Sequence, residues 1–246
     1  MRNILVFITF NGARYHGWQV QKNAVTVQQT VQDALEKILK TRPGIVGCSR
    51  TDAGVHAYEY AFQFRTQSTI PCISLVKALN VTLPHDIAAF RCREVNEDFH
   101  ARYSVVYKEY IYQIYNSKTR NPFFEGRALF VPRELDCAAM ADAAARFLGR
   151  HDFTSFCAAG GSVLDKVRNI MLFDVAREGS LVTIRIRADG FLYNMVRILA
   201  GTLLDVSDGK IGAGDIKAIL ASGDRNKAGP TLPAHGLYLN QVCYGE

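Results

Sequence analysis

Ile170-Met171-Leu172-Phe173-Asp174-Val175-Ala176-Arg177-Glu178-Gly179-Ser180-Leu181-Val182-Thr183-Ile184-Arg185-Ile186-Arg187-Ala188 is the stretch that decides the fold class. In its second half Val182, Ile184 and Ile186 share one face, while Thr183, Arg185 and Arg187 share the other. That is the period of a strand buried on one side. A second strand is predicted over 170–176, and Arg177-Glu178-Gly179-Ser180 between them reads as a hairpin turn. Two strands joined so tightly run antiparallel. The stretch therefore predicts α+β, with largely antiparallel or mixed sheets flanked by helices, over a doubly wound parallel sheet.

Outward from it, further strands are predicted over 3–10, 87–95, 107–115 and 237–244. From Tyr58, Tyr60, Phe62 and Phe64 share one face and Glu59, Gln63 and Arg65 the other. Thr26 with Gln29 forms a capping-box signal for a helix whose apolar face is Val27, Val31, Ala34, Leu35, Ile38 and Leu39, ended by Pro43-Gly44. Shorter helices are expected at 75–83 and from Asp215, and one from an Asp136 cap to Gly149. Met195, Val196, Leu199, Ala200, Leu203 and Leu204 mark a strongly apolar helix. Counting elements divides the chain into 1–104 and 105–246, with no Pro/Gly-rich linker between.

Of 246 residues, 48% are hydrophobic and 21% charged, which are globular proportions that exclude intrinsic disorder. The apolar run Ile4–Phe10 is too short to span a membrane and lacks a signal-peptide cleavage site, so a soluble cytoplasmic protein is expected. Net charge is +6; 12 basic residues face 8 acidic ones before Val105, and 17 face 15 after it. That modest excess suits a polyanionic partner. Six cysteines without a C-x-x-C pair and six histidines without ligand spacing argue against a disulfide scaffold and a zinc site. Walker A, dinucleotide-binding and G-x-S-x-G patterns are all missing, so neither metal nor cofactor is expected and catalysis would fall to ordinary side chains.

The densest polar cluster is Cys48-Ser49-Arg50-Thr51-Asp52-Ala53-Gly54-Val55-His56-Ala57. It places a carboxylate beside a guanidinium at the entrance of an aromatic strand. Read alone, it is either a turn capped by Asp52 or the seat of a nucleophile. Arg50 through Ala57 resembles the signature of the tRNA pseudouridine synthase A family. So do Tyr15 through Gln19, Val27-Gln28, Asn80 with Leu83-Pro84, Phe99 through Arg102, Tyr110 through Asn116, His151 through Phe156, Phe191 through Leu199 and Ala234 through Leu239. Ser49 departs from the glycine frequent there.

The resemblance implies two similar α+β units with Asp52 in a cleft between them, and isomerisation of uridine to pseudouridine without cofactor. The substrate implied is the tRNA anticodon stem-loop, at about positions 38 to 40, and the enzyme a homodimer. It makes Asp52 the catalytic carboxylate, through capture of C1′, attack on the base or a glycal route. Arg197 would pair with Asp52, Tyr110 would contact the base, Arg50 the displaced base or a phosphate, and Leu237 would be a pocket wall. Phosphate candidates are Arg14, Lys22, Arg102, Arg185 and Arg187; the last two leave one sheet face together. Trp18 is read as packing and Cys48 as a buried small residue. A non-catalytic RNA-binding module and a base-removing hydrolase are the rival readings.

Overall fold

The computed structural model describes residues 1–161 and 163–245. It divides into two compact units, residues 1–106 with 238–246, and residues 107–237. Both are α+β. Among the described residues no helix is long and apolar enough to cross a membrane.

In the first unit β1 (Arg2–Phe10) lies between β4 (Ile87–Val95) and β3 (His56–Thr66), antiparallel to both. The short β2 (Ile45–Gly47) pairs antiparallel with the far half of β3. The last strand, β10 (Leu237–Tyr244), joins β3 in parallel at Tyr238↔His56 and Leu239↔Ala57. Division at residue 104 assigns this strand to the second half of the chain; its ladder with β3 puts residues 238–246 in the first unit. Local pattern could identify β10 as a strand, but not name a partner some 180 residues away.

Helix α1 (Val27–Leu39) begins as expected, with the Thr26 side chain accepting from the Gln29 N–H at 3.3 Å, and buries Val27, Val31, Ala34 and Leu35. It stops earlier than Pro43-Gly44, because Lys40 takes the left-handed conformation at φ 59°. Helix α2 (Cys72–Thr82) packs on β4 and touches α1. Along β3 the alternation fails on one side: Gln63 is buried, because the segment at 96–101 covers it and bonds to its amide.

The second unit orders its strands β5 (Val105–Asn116), β9 (Leu181–Ala188), β8 (Val167–Glu178) and β7 (Gly149–Asp152), all antiparallel, with β6 (Leu129–Val131) parallel beside β5. The hairpin closes on Gly179-Ser180 with Gly179 at φ 56°, and β9 alternates between buried and half-buried as read from sequence. Helix α3 (Cys137–Ala145) starts on the Asp136 cap but ends before Gly149. Just past its end, the Phe147 ring meets Phe156 at 5.0 Å and Phe173 at 5.5 Å. Helix α4 (Met195–Ser207) buries ten of its thirteen residues, so it is covered nearly all round. α5 (Ile216–Ser222) follows.

Candidate active site

Arg50, Thr51 and Asp52 lie between β2 and β3, in a loop fastened by its main chain. The Cys48 N–H donates to Ala61 O at 2.8 Å where the loop begins. The Val55 N–H donates to Asp52 O at 3.2 Å, closing a turn through Gly54 at φ 79°. A second loop, residues 11–18, is laced to this one. The Trp18 N–H donates to Thr51 O at 3.2 Å, the Gly54 N–H to Tyr15 O at 3.1 Å, and the Gly12 N–H to His56 Nδ1 at 3.0 Å. An accepting Nδ1 fixes His56 as the neutral tautomer protonated on Nε2.

Glycine is what lets the two loops touch. A Cβ on Gly12 would stand 1.9 Å from Val55 O, and one on Gly17 2.2 Å from Thr51 O, with Gly17 already at φ 79°. Tyr60 donates its hydroxyl to Ser49 O from below, and Trp18 stacks on Tyr60 at 4.2 Å. Trp18 is thus a packing residue, 3% exposed, and Cys48 is fully buried. The Tyr15 hydroxyl donates to Asp86 Oδ1 at 2.6 Å; burial and that carboxylate push its phenol well above the ordinary range. Within the laced loops Thr51 Oγ1 is buried with no hydrogen-bond partner among the described residues.

Tyr110, Arg197 and Leu237 belong to the second unit. Tyr110 is buried on β5, with the Phe191 ring edge-on at 5.0 Å. Two residues along, Tyr112 donates to Pro233 O at 2.8 Å. A Cβ on Gly236 would meet its ring at 2.7 Å, so the chain leading into Leu237 lies directly on Tyr112. Burial pushes the Tyr112 phenol up, opposed by the Arg197 charge.

Arg197 sits in the first turn of α4. Its Nε donates to Leu232 O at 2.6 Å and its Nη1 to Asn194 Oδ1 at 2.7 Å. Asn194 stands before the helix at φ 59°, and its amide oxygen serves Arg197 rather than the helix N-terminus. The accepting segment is itself pressed on α4: a Cβ on Gly201 would lie 1.9 Å from Pro230 O. The Gly229 N–H also donates to Thr202 Oγ1 at 2.9 Å.

The basic candidates separate into kinds. Arg14, Lys22, Arg50 and Arg102 are exposed, and Arg14 stands 3.7 Å from Asp86. Arg185 faces Asp174 at 3.8 Å, both half-exposed. Arg187, two residues on, is committed: Nε and Nη2 both reach Glu109 Oε2, at 3.1 and 2.7 Å. Its guanidinium also lies 4.6 Å from the Tyr107 ring centre. Among the described residues no group of three or more His, Cys, Asp or Glu is arranged to hold a metal ion. Sequence reading missed Asn194 and the Tyr15–Asp86 bond. An Asn just before a helix, a residue tolerant of positive φ, was the available signal for the first; nothing local announces the second.

A family model described as tRNA pseudouridine synthase matches residues 6–104 and 143–245. The chain belongs to that family. It is 48% identical over 245 residues to the tRNA pseudouridine synthase A of Ruminiclostridium cellulolyticum, covering 99% of this chain and all of the relative. The protein of the same name from Acetivibrio thermocellus is 46% identical over 244 residues, again 99% of this chain and all of the relative. That of Bacillus pumilus is 45% identical over 239 residues, 96% of this chain and 97% of the relative. As a member of the tRNA pseudouridine synthase family the chain is an isomerase.

Proposed function

We propose that the protein converts uridine to pseudouridine in the anticodon stem-loop of tRNA, at about positions 38 to 40, with Asp52 as nucleophile. The observation that carries the reading is 46–48% identity, over nearly the whole chain, to proteins named tRNA pseudouridine synthase A, a span that includes the laced loop around Asp52. The reaction breaks N1–C1′, turns the uracil and joins C5 to C1′; the C5 hydrogen leaves as a proton and N1 gains one. Bond breaking builds positive character at C1′, which a carboxylate stabilises or captures. No outside atom enters the product, so no cofactor is required.

The reactive base must leave its stack before a side chain can reach its ribose. Tyr110 then offers it an aromatic face, Leu237 an apolar wall, and Arg50 a cation for the displaced base or a neighbouring phosphate. Arg197 is the cation that pairs with Asp52 in this reading, its guanidinium already oriented by Leu232 O and Asn194. Arg14, Lys22 and Arg185 are the phosphate contacts; Arg102 contributes less, since Glu97 and Asp98 lie in its turn, and so does Arg187, since Glu109 holds it. The working form is a cytoplasmic homodimer, which sedimentation of the purified protein tests by mass.

The test of the reaction is tritium release from an unmodified tRNA transcript labelled at uracil C5, followed by mapping of the modified positions. Release by wild type with an intact chain, no free uracil and pseudouridine within 38 to 40 is the expected result. Free uracil with abasic RNA would make the protein a hydrolase. Tight binding without release would make it a binding module.

A further inference from the structure

The turn at 96–104 has no regular structure, yet hydrogen bonds hold it from within and from beneath. Its own groups close it. The Tyr103 and Ser104 N–H groups donate to His100 O at 3.0 and 2.8 Å, and the His100 N–H donates to Ser104 Oγ at 3.0 Å. His100 Nδ1 accepts from the Arg102 and Tyr103 N–H groups at 3.2 and 3.3 Å. From beneath, Gln63 Nε2 donates to Phe99 O at 2.9 Å, and Gln63 Oε1 accepts the Ala101 N–H. Asn3 Nδ2 donates to Asn96 O at 2.9 Å, and the Tyr244 hydroxyl to Ala101 O at 2.7 Å. Asn3 and Gln63 are buried polar side chains whose amides serve this turn.

What the turn presents is a ring. Tyr103 is 75% exposed, the face of its ring stacked on His100 at 4.3 Å and 29°. The exposed Arg102 places its guanidinium 5.8 Å from the ring centre. An aromatic residue normally gains by burial; here a rigid turn holds one out, three-quarters exposed and backed by His100. Fixed orientation removes the ordering cost that a free tyrosine would meet on binding a flat ligand.

We propose that Tyr103 is a stacking platform for an unpaired nucleobase of the RNA substrate, separate from the reacting uridine. The inference rests on the reading that the substrate is RNA. Stacking is the chemistry the site favours over phosphate clamping, because Glu97 and Asp98 lie in the same turn and would oppose a phosphate. A base needs only a π face, and Arg102 strengthens the stack as a cation beside it.

The full-length protein is titrated with unmodified tRNA transcript in a filter-binding assay at fixed, moderate salt. Tyr103→Ala should weaken binding by about tenfold, in the range that base–aromatic stacking supports, and Tyr103→Phe should stay within about twofold of wild type. Ultraviolet crosslinking of the wild-type complex should attach a nucleotide to the tryptic peptide that begins at Tyr103. Unchanged affinity in Tyr103→Ala would overturn the platform. So would equal loss in Tyr103→Phe, which would point to the hydroxyl. A changed sedimentation mass with unaltered RNA affinity would make the ring a protein contact and overturn it too. If wild type neither binds tRNA nor releases tritium, the RNA reading fails with it; if wild type does both and Tyr103→Ala binds normally, only the platform fails.

Discussion

The two units fix a candidate residue in different ways. In the first, the loop carrying Asp52 is held through its main chain: its carbonyls and N–H groups bond to a second loop that glycines at 12 and 17 allow to come within contact distance. In the second, it is the guanidinium of Arg197 that two acceptors hold, while glycines at 201 and 229 bring the accepting segment onto α4. The difference follows from side-chain length. A short carboxylate goes where its backbone goes, so the backbone must be fixed. A long arginine reaches across several ångströms, so its head group must be gripped.

This contrast makes backbone changes in the first unit the most damaging. Gly17→Ala sets a Cβ against Thr51 O at a positive φ, and overpacking plus conformational strain together cost about 2–4 kcal/mol. Urea unfolding should show that loss, and turnover should fall about 100-fold because the loop is displaced. Wild-type behaviour in Gly17→Ala would mean that the laced loops do not position Asp52.

Arg187→Ala comes next. Glu109, 4% exposed at its side chain, loses two charge-assisted bonds, for about 2 kcal/mol once the partial exposure of Arg187 is allowed for. Arg185→Ala, on the same face, should leave stability within about 0.5 kcal/mol and instead reduce the salt dependence of tRNA binding. Equal stability losses would erase the distinction between the two arginines.

In the second unit, Gly201→Ala gains about 1 kcal/mol of helix propensity but loses about 2–3 to the clash with Pro230 O, a net loss near 1–2 kcal/mol by thermal unfolding. The smallest effect belongs to Thr51→Val. Its hydroxyl oxygen has no partner among the described residues, so stability should move by less than about 0.5 kcal/mol in urea. A large loss there would show that a side chain, not the main chain, holds the loop.

Much of the fold was legible because it repeats locally. The bounds of β4, β9 and β10 agree with the strands predicted over 87–95, 181–188 and 237–244, and Thr26 and Asp136 cap the helices they announce. What was not legible depends on distant partners. Strands β2, β6 and β7 are three or four residues long, too short for a period to show. Gln63 reads as an outward polar residue until the turn at 96–104 folds over it. Lys40 gives no local reason to adopt a left-handed cap where Pro43-Gly44 offers a stop. The Asp52 loop stood out because small and polar residues interrupt an apolar pattern. The fastening of that loop to its neighbour did not, since the three bonds between them join residues 33 to 44 positions apart. Arg185 and Arg187 look alike in sequence and differ in the partners that neighbouring strands bring, half-exposed Asp174 for the first and buried Glu109 for the second.

The most direct measurement is tritium release from C5-labelled tRNA by Asp52→Asn beside wild type, with both melting temperatures recorded. The loop is held by main-chain groups that the substitution leaves in place, so the account predicts a variant that melts within a few degrees of wild type, binds tRNA and releases no label. Release at a rate near wild type by the folded Asp52→Asn protein would contradict it, and the nucleophile would have to be sought elsewhere in the chain.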